Sequence, residues 1–314
     1  MVIESSKHWT DYWNKGFLTS LPQDFPANYD GNIAKFWHQS FSELKEQDKI
    51  LDICTGNGAI AVLAAEYSYN RKVLIDIKAV DAAHIDRKII SSRYSQNCKY
   101  LDRVDFFGNT HIEKLPFNDS EFALITSQFG FEYCLWERGA KELSRVLTDD
   151  GKLIIVRHSH DSNIINFMME EKREYELVFE SKIQIFIENY FFGKFSLEEL
   201  NKKMEKIRKF LILAKGNKLT PVIDSFIRMI EYLVSLNIVE FEQQKGKIGV
   251  FFKEMENARL RVLDLIRVSN EVEDEEKWNR VFEKNKFVCI DSGHLMFDNL
   301  NKVGDYFVMT KVGK

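Results

Sequence analysis

The sequence predicts an α/β protein: a mostly parallel sheet with helices on both faces, interrupted by a long α-helical insertion. Three observations predict it. From residue 49 onward, short apolar runs alternate with helical patterns, which implies parallel strands joined by right-handed crossovers. Residues 50–58, Ile50-Leu51-Asp52-Ile53-Cys54-Thr55-Gly56-Asn57-Gly58, end an apolar run in an acid and a glycine turn, directly before the helical Ala59-Ile60-Ala61-Val62-Leu63-Ala64-Ala65. Between about 162 and 275 the strand patterns stop and helical ones take over, with Pro221 the only proline.

Taken in order, residues 6–48 are aromatic and irregular. Pro22 and Pro26 divide them into a first helix, a loop and a second helix over about 31–46. Strands are expected at 49–54, 73–80, 103–108, 122–127 and 152–158, with helices at 58–69, 83–95 and 137–147. Asp149-Asp150-Gly151 reads as the turn into the fifth strand. Helices are expected near 163–191, 196–215, 220–236, 241–252 and 253–270. Ser196-Leu197-Glu198-Glu199 forms a capping box, Thr220 an N-cap before Pro221, and Gly193 and Gly216 stop helices. After the acidic run 271–276, Trp278 to Lys286 is helical, and 287–290 and 306–311 read as strands around a long turn. This gives an N-terminal helical cap (1–48), a core (49–161 and 276–314) and a helical insertion (162–275) suited to covering a substrate.

At 314 residues the chain exceeds the usual single domain, in keeping with a core plus an insertion. A hydrophobic content of 45% with 13% aromatics supports a packed core. The net charge of -4 argues against non-specific adhesion to nucleic acid, and no nucleic-acid partner is expected. Cys54, Cys98, Cys134 and Cys289 are scattered without a C-x-x-C pair, which reads as reduced thiols rather than a zinc site. No metal is expected. With no secretory pattern at residues 1–9 and no run of eighteen apolar residues, the expectation is a soluble cytoplasmic protein. The oligomeric state is open, a homodimer included.

Two ligands compete for the glycine turn. Gly56-Asn57-Gly58-Ala59-Ile60-Ala61 fits the loose dinucleotide pattern G-x-G-x-x-G/A, with Asp81 about twenty residues on. Asp52, four residues before Gly56, weighs against a pyrophosphate and favours a ligand carrying an ammonium and a sulfonium. On these residues the chain resembles the class I S-adenosylmethionine-dependent methyltransferases. Cys54 departs from them, since the family often has Gly there.

Later segments strengthen the resemblance. Asp81 ends Ile77-Lys78-Ala79-Val80-Asp81, where a family acid accepts both ribose hydroxyls; it is preferred over Asp76. Asn109-Thr110-His111-Ile112-Glu113-Lys114-Leu115-Pro116-Phe117 is similar to the adenine-holding segment of small-molecule methyltransferases, including those of ubiquinone and menaquinone biosynthesis. His111 stands where the family usually has Asp. Ser127-Gln128-Phe129-Gly130-Phe131-Glu132-Tyr133 resembles the loop beneath the methionine part of the cofactor. Glu142-Leu143-Ser144-Arg145-Val146-Leu147 with Asp150-Gly151-Lys152-Leu153 matches the family's helix and turn into strand five.

The resemblance implies a Rossmann-like seven-stranded sheet whose last strand is the antiparallel partner of the sixth. It implies S-adenosyl-L-methionine as cofactor, contacted by Tyr12, Asp52, Thr55, Gly56, Asn57, Gly58, Asp81, Ala82, Thr110, His111, Ile112, Ser127, Gln128 and Phe129. Tyr12, Trp13, Tyr29 and Trp37 offer ring faces to a sulfonium. The expected reaction is in-line methyl transfer to a small or medium organic acceptor. A macromolecular methyltransferase, or a protein that binds the cofactor without transferring methyl, are the alternatives. His158 or His160 could serve as base, but no catalytic residue is assigned.

Overall fold

A computed structural model describes residues 7–22, 24–94, 98–216, 221–298 and 300–312. Two compact units divide them: one runs to Ile165 and resumes at Arg267, the other spans Asn166–Ile266.

The first unit holds one sheet of seven strands: β1 (Lys49–Ile53), β2 (Asp76–Val80), β3 (Val104–Phe107), β4 (Phe122–Gln128), β5 (Leu147–Arg157), β6 (Phe287–Met296) and β7 (Lys302–Lys311). Their order is β3-β2-β1-β4-β5-β7-β6. β1 to β5 are parallel, and β7 runs antiparallel to both β5 and β6. This is the Rossmann-like sheet with the closing hairpin that the resemblance implied.

Both faces of the sheet are covered because successive strand residues point to opposite sides. On one side Ile50, Ile154 and Val156 join a core with α2 (Gly31–Ser40) and α3 (Ala59–Arg71). On the other, Leu51, Ile53, Leu153 and Ile155 pack with α6 (Trp136–Val146) and α13 (Glu275–Lys284). A parallel sheet buried on both faces reads as continuous apolar runs, which is why these strands stood out.

Several boundaries differ from expectation, each for a local reason. The N-terminal arm forms α1 (Lys7–Trp13), and α2 ends early in a short 3₁₀ turn, Phe41–Glu43, followed by extended Leu44. β2 starts only at Asp76, because Val73 bonds back to Ser68 and Lys72 adopts a left-handed φ of 57°, closing α3. The helix after β2, α4 (Arg87–Arg93), begins late. Asp86 caps it, while Ala83 is bound to Asp81. A further short helix, α5 (Cys98–Leu101), precedes β3. Asp149-Asp150-Gly151 lies inside β5 as a bulge: Phe122 pairs with Leu147, but Leu124 pairs with Lys152. The hairpin strands are longer, and the turn between them shorter, than predicted.

The second unit is helical. α7 (Asn163–Glu180) leads into it and α12 (Lys245–Glu271) leads out; α8 (Ile183–Phe191), α9 (Leu197–Lys215), α10 (Pro221–Val234) and α11 (Ile238–Gln243) lie between. Its core gathers Leu200, Met204, Ile223, Phe226, Ile230 and Phe241. The expected single helix over 163–191 breaks at Lys182, which takes a φ of 57°. The two helices expected over 241–270 are instead the single α12, preceded by α11. Ser196 and Glu199 form the capping box as predicted, and Gly193 and Gly216 follow helices with φ of 73° and 57°. The Thr220 cap lies outside the described residues. Among those described, no helix is long and apolar enough to cross a membrane.

Two glycines give opposite expectations. At Gly304 on β7 a Cβ would strike the Arg157 carbonyl of β5, so Gly304→Ala should cost about 1–3 kcal/mol in urea unfolding. At exposed Gly249 in α12 nothing lies within 4 Å, so Gly249→Ala should stabilise by about 0.5–1 kcal/mol in the same measurement.

Candidate functional site

The strand order reverses between β1 and β4, and in open α/β sheets the crevice at the carboxyl ends beside such a reversal is where ligands bind. Asp52, near the end of β1, is fully buried. Its Oδ1 accepts from Thr126 Oγ1 at 2.8 Å, on the strand it pairs with, and its Oδ2 from Thr55 Oγ1 at 2.5 Å. Burial pushes this carboxyl up to about 7; the two hydroxyls oppose the rise and the charge of Asp81 adds to it.

Asp81 follows β2 and is half-buried. Its Oδ2 accepts from the Gly56 N–H at 2.7 Å and its Oδ1 from the Ala83 N–H at 2.8 Å. Burial raises its pKa, against the pull of those two N–H groups and of the nearby His111. The Thr110 N–H donates to the Asp81 carbonyl at 2.8 Å, tying the segment after β3 to the same place. Asp81, Gly56 and Thr110 are thus held together, with Ala82 half-buried beside them and His111 exposed. Ile112 goes elsewhere: its side chain is in the core against Gly139 of α6.

The chain's own N-terminal arm packs against the glycine turn. Gly56 and Gly58 have φ of 56° and 93°. A Cβ on Gly56 would lie 2.5 Å from the Trp13 ring, and one on Gly58 2.6 Å from the Phe106 ring. The room left by the missing side chains therefore admits aromatic rings. Buried Asn57 donates to the carbonyls of Trp13 at 2.9 Å and Phe17 at 2.7 Å, so it holds the arm. Tyr12 is committed within the arm, its hydroxyl donating to Thr19 O at 2.9 Å.

Beyond β4, buried Ser127 accepts from the Phe131 N–H at 3.2 Å and so shapes the loop. Gln128 accepts from Trp37 Nε1 at 2.6 Å, while its own buried Nε2 has no partner among the described residues. Phe129 takes a φ of 57° and stacks on the His158 ring, centroids 4.5 Å apart and planes within 6°. Burial depresses His158 to about 3, so it is neutral and a poor proton acceptor at ordinary pH. His160 is exposed, 3.6 Å from Glu273.

Glu132, which the sequence offered as a residue facing the acceptor, is instead buried behind this loop. Glu132 accepts from the His158 N–H at 2.8 Å, and burial pushes its carboxyl up to about 7. The Arg157 guanidinium lies 4.7 Å from the ring centroids of both Trp278 and Phe307. The signal available was Arg157 itself, a charge ending the apolar run Leu153-Ile154-Ile155-Val156. Among the described residues, no group of three His, Cys, Asp or Glu side chains could hold a metal ion.

Residues 32–190, just over half of the chain, match the ubiE/COQ5 methyltransferase family. No curated protein matches the chain. Several solved structures do. One is from the complex of the Haloferax volcanii Trm112 methyltransferase activator with a protein assigned as a methyltransferase: 17% identity and TM-score 0.35, over 48% of this chain and 60% of that one. The chain thus spans less than two thirds of that relative. A Methanococcus maripaludis protein assigned as an S-adenosyl-L-methionine-dependent methyltransferase is 14% identical, with TM-score 0.44, over 97% of this chain and 93% of that one. Geranyl diphosphate C-methyltransferase from Streptomyces coelicolor A3(2) is 15% identical, with TM-score 0.35, over 64% and 73%.

Replacing Asn57 with Ala removes both bonds that fasten the arm to the turn. Asn57→Ala should lose about 1–3 kcal/mol of stability and speed amide hydrogen exchange over residues 7–19 ahead of the sheet; unchanged exchange there would show that Asn57 does not hold the arm.

Proposed function

The chain belongs to the ubiE/COQ5 methyltransferase family, and we propose that it transfers a methyl group from S-adenosyl-L-methionine to a small or medium organic acceptor. The observation that carries this reading is the pair Asp52 and Asp81. Two desolvated carboxyls lie beside a glycine turn, the charge of Asp81 raising Asp52, with hydroxyls and backbone N–H groups as their hydrogen-bond partners. That potential suits a ligand bearing positive charge and disfavours a pyrophosphate.

The residues present fit such a cofactor. Half-buried Asp81 keeps lone pairs for a ribose diol beyond the two N–H groups it already accepts. Gln128 Nε2 is a buried donor with no partner among the described residues, and Thr110 and His111 stand next to Asp81 at the place suited to a base. Bound there, the cofactor supplies an electrophilic methyl carbon on a sulfonium. What this chain adds is positioning and exclusion of water: Trp13 covers the turn, Phe129 and His158 stack beside it, and Trp37 fixes Gln128. His158, held neutral near 3, leaves transfer to rest on proximity rather than on that base. The helical stretch 162–275 is proposed to confer acceptor preference, since no motif of the core does so.

Calorimetric titration should give micromolar binding of S-adenosylmethionine and S-adenosylhomocysteine and none of NAD. Asp81→Ala should weaken the first two by about 10- to 100-fold, the worth of a charged hydrogen-bond pair at ~1.5–3 kcal/mol. Preference for NAD would sink the proposal. The pH dependence has a definite sign: a cationic ligand favours the ionised form of Asp52, so S-adenosylmethionine should bind more tightly as pH rises through about 7. The gain is about tenfold for each pKa unit by which binding lowers Asp52. Asp52→Asn should flatten the profile, and a profile unchanged by that substitution would assign the dependence to another group.

A further inference from the structure

Resting on that reading of the turn, we infer that Cys54 and Cys134 form a reversible disulfide, a modification site that disables the cofactor turn. The two sulfurs lie 3.5 Å apart although 80 positions separate them in the chain. Cys54 sits in the turn itself, with a φ of 52°, immediately before Thr55 and Gly56. Cys134 follows the short 3₁₀ turn Phe131–Tyr133 beyond β4. The backbone between them is already in contact: a Cβ on Gly130 would strike the Cβ of Cys54, and Cys134 Sγ lies 3.8 Å from the Gly130 carbonyl. The other two cysteines are engaged apart from this pair, Cys98 with the carbonyls of Ser91 and Tyr94, and Cys289, exposed on β6, with that of Asp291.

The pair is reachable from one side. Cys134 lines a cleft of about 710 Å³ together with Leu135, Arg138 and Lys277, so attack on an incoming oxidant belongs to Cys134. The adjacent sulfur and burial both push the Cys54 thiol well up, so it stays protonated and the first attack does not fall to it. With oxidised glutathione, a small-molecule disulfide, the Cys134 thiolate attacks one sulfur and expels a glutathione thiolate, which takes up a proton. Cys54 then gives up its proton, attacks Cys134 Sγ in the mixed disulfide and expels the second glutathione. Two cysteine thiols are oxidised and one disulfide is reduced to two thiols. Closing the sulfurs from 3.5 Å to a bond of about 2.05 Å moves them about 1.5 Å together. That pull acts on the residue directly before Thr55 and Gly56, whose side chain and N–H hold Asp52 and Asp81.

The test compares the full chain, reduced or equilibrated with oxidised glutathione, by non-reducing peptide mapping and by calorimetric binding of S-adenosylhomocysteine. The expected result is a linked Cys54–Cys134 peptide and at least tenfold weaker binding, both reversed by dithiothreitol. Cys134→Ser should bind like reduced wild type whatever the oxidant, and Cys289→Ser should respond like wild type. Both thiols remaining open to alkylation after oxidation, or a linked pair with undiminished affinity, would overturn the inference; so would loss of affinity in oxidised Cys134→Ser. If the reduced protein bound no S-adenosylhomocysteine, the cofactor reading would fail separately, and the disabling role of the pair with it. The peptide map would then decide whether the disulfide forms.

Discussion

Desolvation of two neighbouring carboxyls is the constraint around which the sheet ends are arranged. Asp52 and Asp81 terminate adjacent strands, and each would face a penalty of several kcal/mol if buried without partners. Among the described residues, neither forms an ion pair with a contacting cation. Asp52 takes the hydroxyls of Thr55 and Thr126, and Asp81 takes the N–H groups of Gly56 and Ala83. Local geometry follows from these bonds. Gly56 must hold a positive φ while its N–H serves Asp81. The chain beyond Asp81 must turn back through Ala83, which delays α4 until Asp86 can cap it.

The N-terminal arm is fitted to the same turn. Glycine at 56 and 58 leaves space that rings from two different segments fill, Trp13 from α1 and Phe106 from β3. Asn57, lying between them, spends its side-chain donors on the arm. Three consecutive residues therefore connect the arm, the first strand and the third, so the turn is braced from both sides before any ligand arrives. Bracing of this kind would lower the ordering cost of the binding proposed above, since the groups assigned to the ligand are already fixed.

How much of this was legible in the sequence depended on whether a pattern had a single physical cause. The doubly buried strands and the all-apolar start of α3 leave little choice, and the parallel order followed from them. Asp81 was preferred over Asp76 because a helix was expected directly after it; the structure places Asp76 at the start of β2 and Asp81 just past its end, although α4 begins only at Arg87. Gly56 and Gly58 were legible as a tight turn but not as seats for Trp13 and Phe106, since a glycine does not record what approaches it. Ile112 was placed at the site by its neighbours Thr110 and His111, and its own apolarity sent it into the core. Lys182 breaks a helix at a φ of 57° without a glycine or proline to announce it, and Phe251-Phe252-Lys253 continues α12 where a boundary was expected. Asp149-Asp150-Gly151 has turn chemistry, yet pairing on both sides of it makes it a bulge.

The loop after β4 is fixed by a second buried polar group rather than by apolar packing alone. Glu132 reaches across to the His158 N–H, joining that loop to the chain leaving β5. The opposite charge of Arg157 holds back the rise that burial imposes on Glu132, while Arg157 itself lies against rings of α13 and β7. Burying such charges is weak evidence for stability, because the desolvation incurred offsets most of their attraction. Directionality is what it offers in return: a carboxylate bonded to one N–H admits far fewer loop conformations than an apolar side chain in the same space. Gln128, Phe129 and Cys134 all lie on the loop so fixed. Its shape therefore rests on a device that the turn beside it also uses at Asp81, a desolvated carboxyl that accepts a backbone N–H.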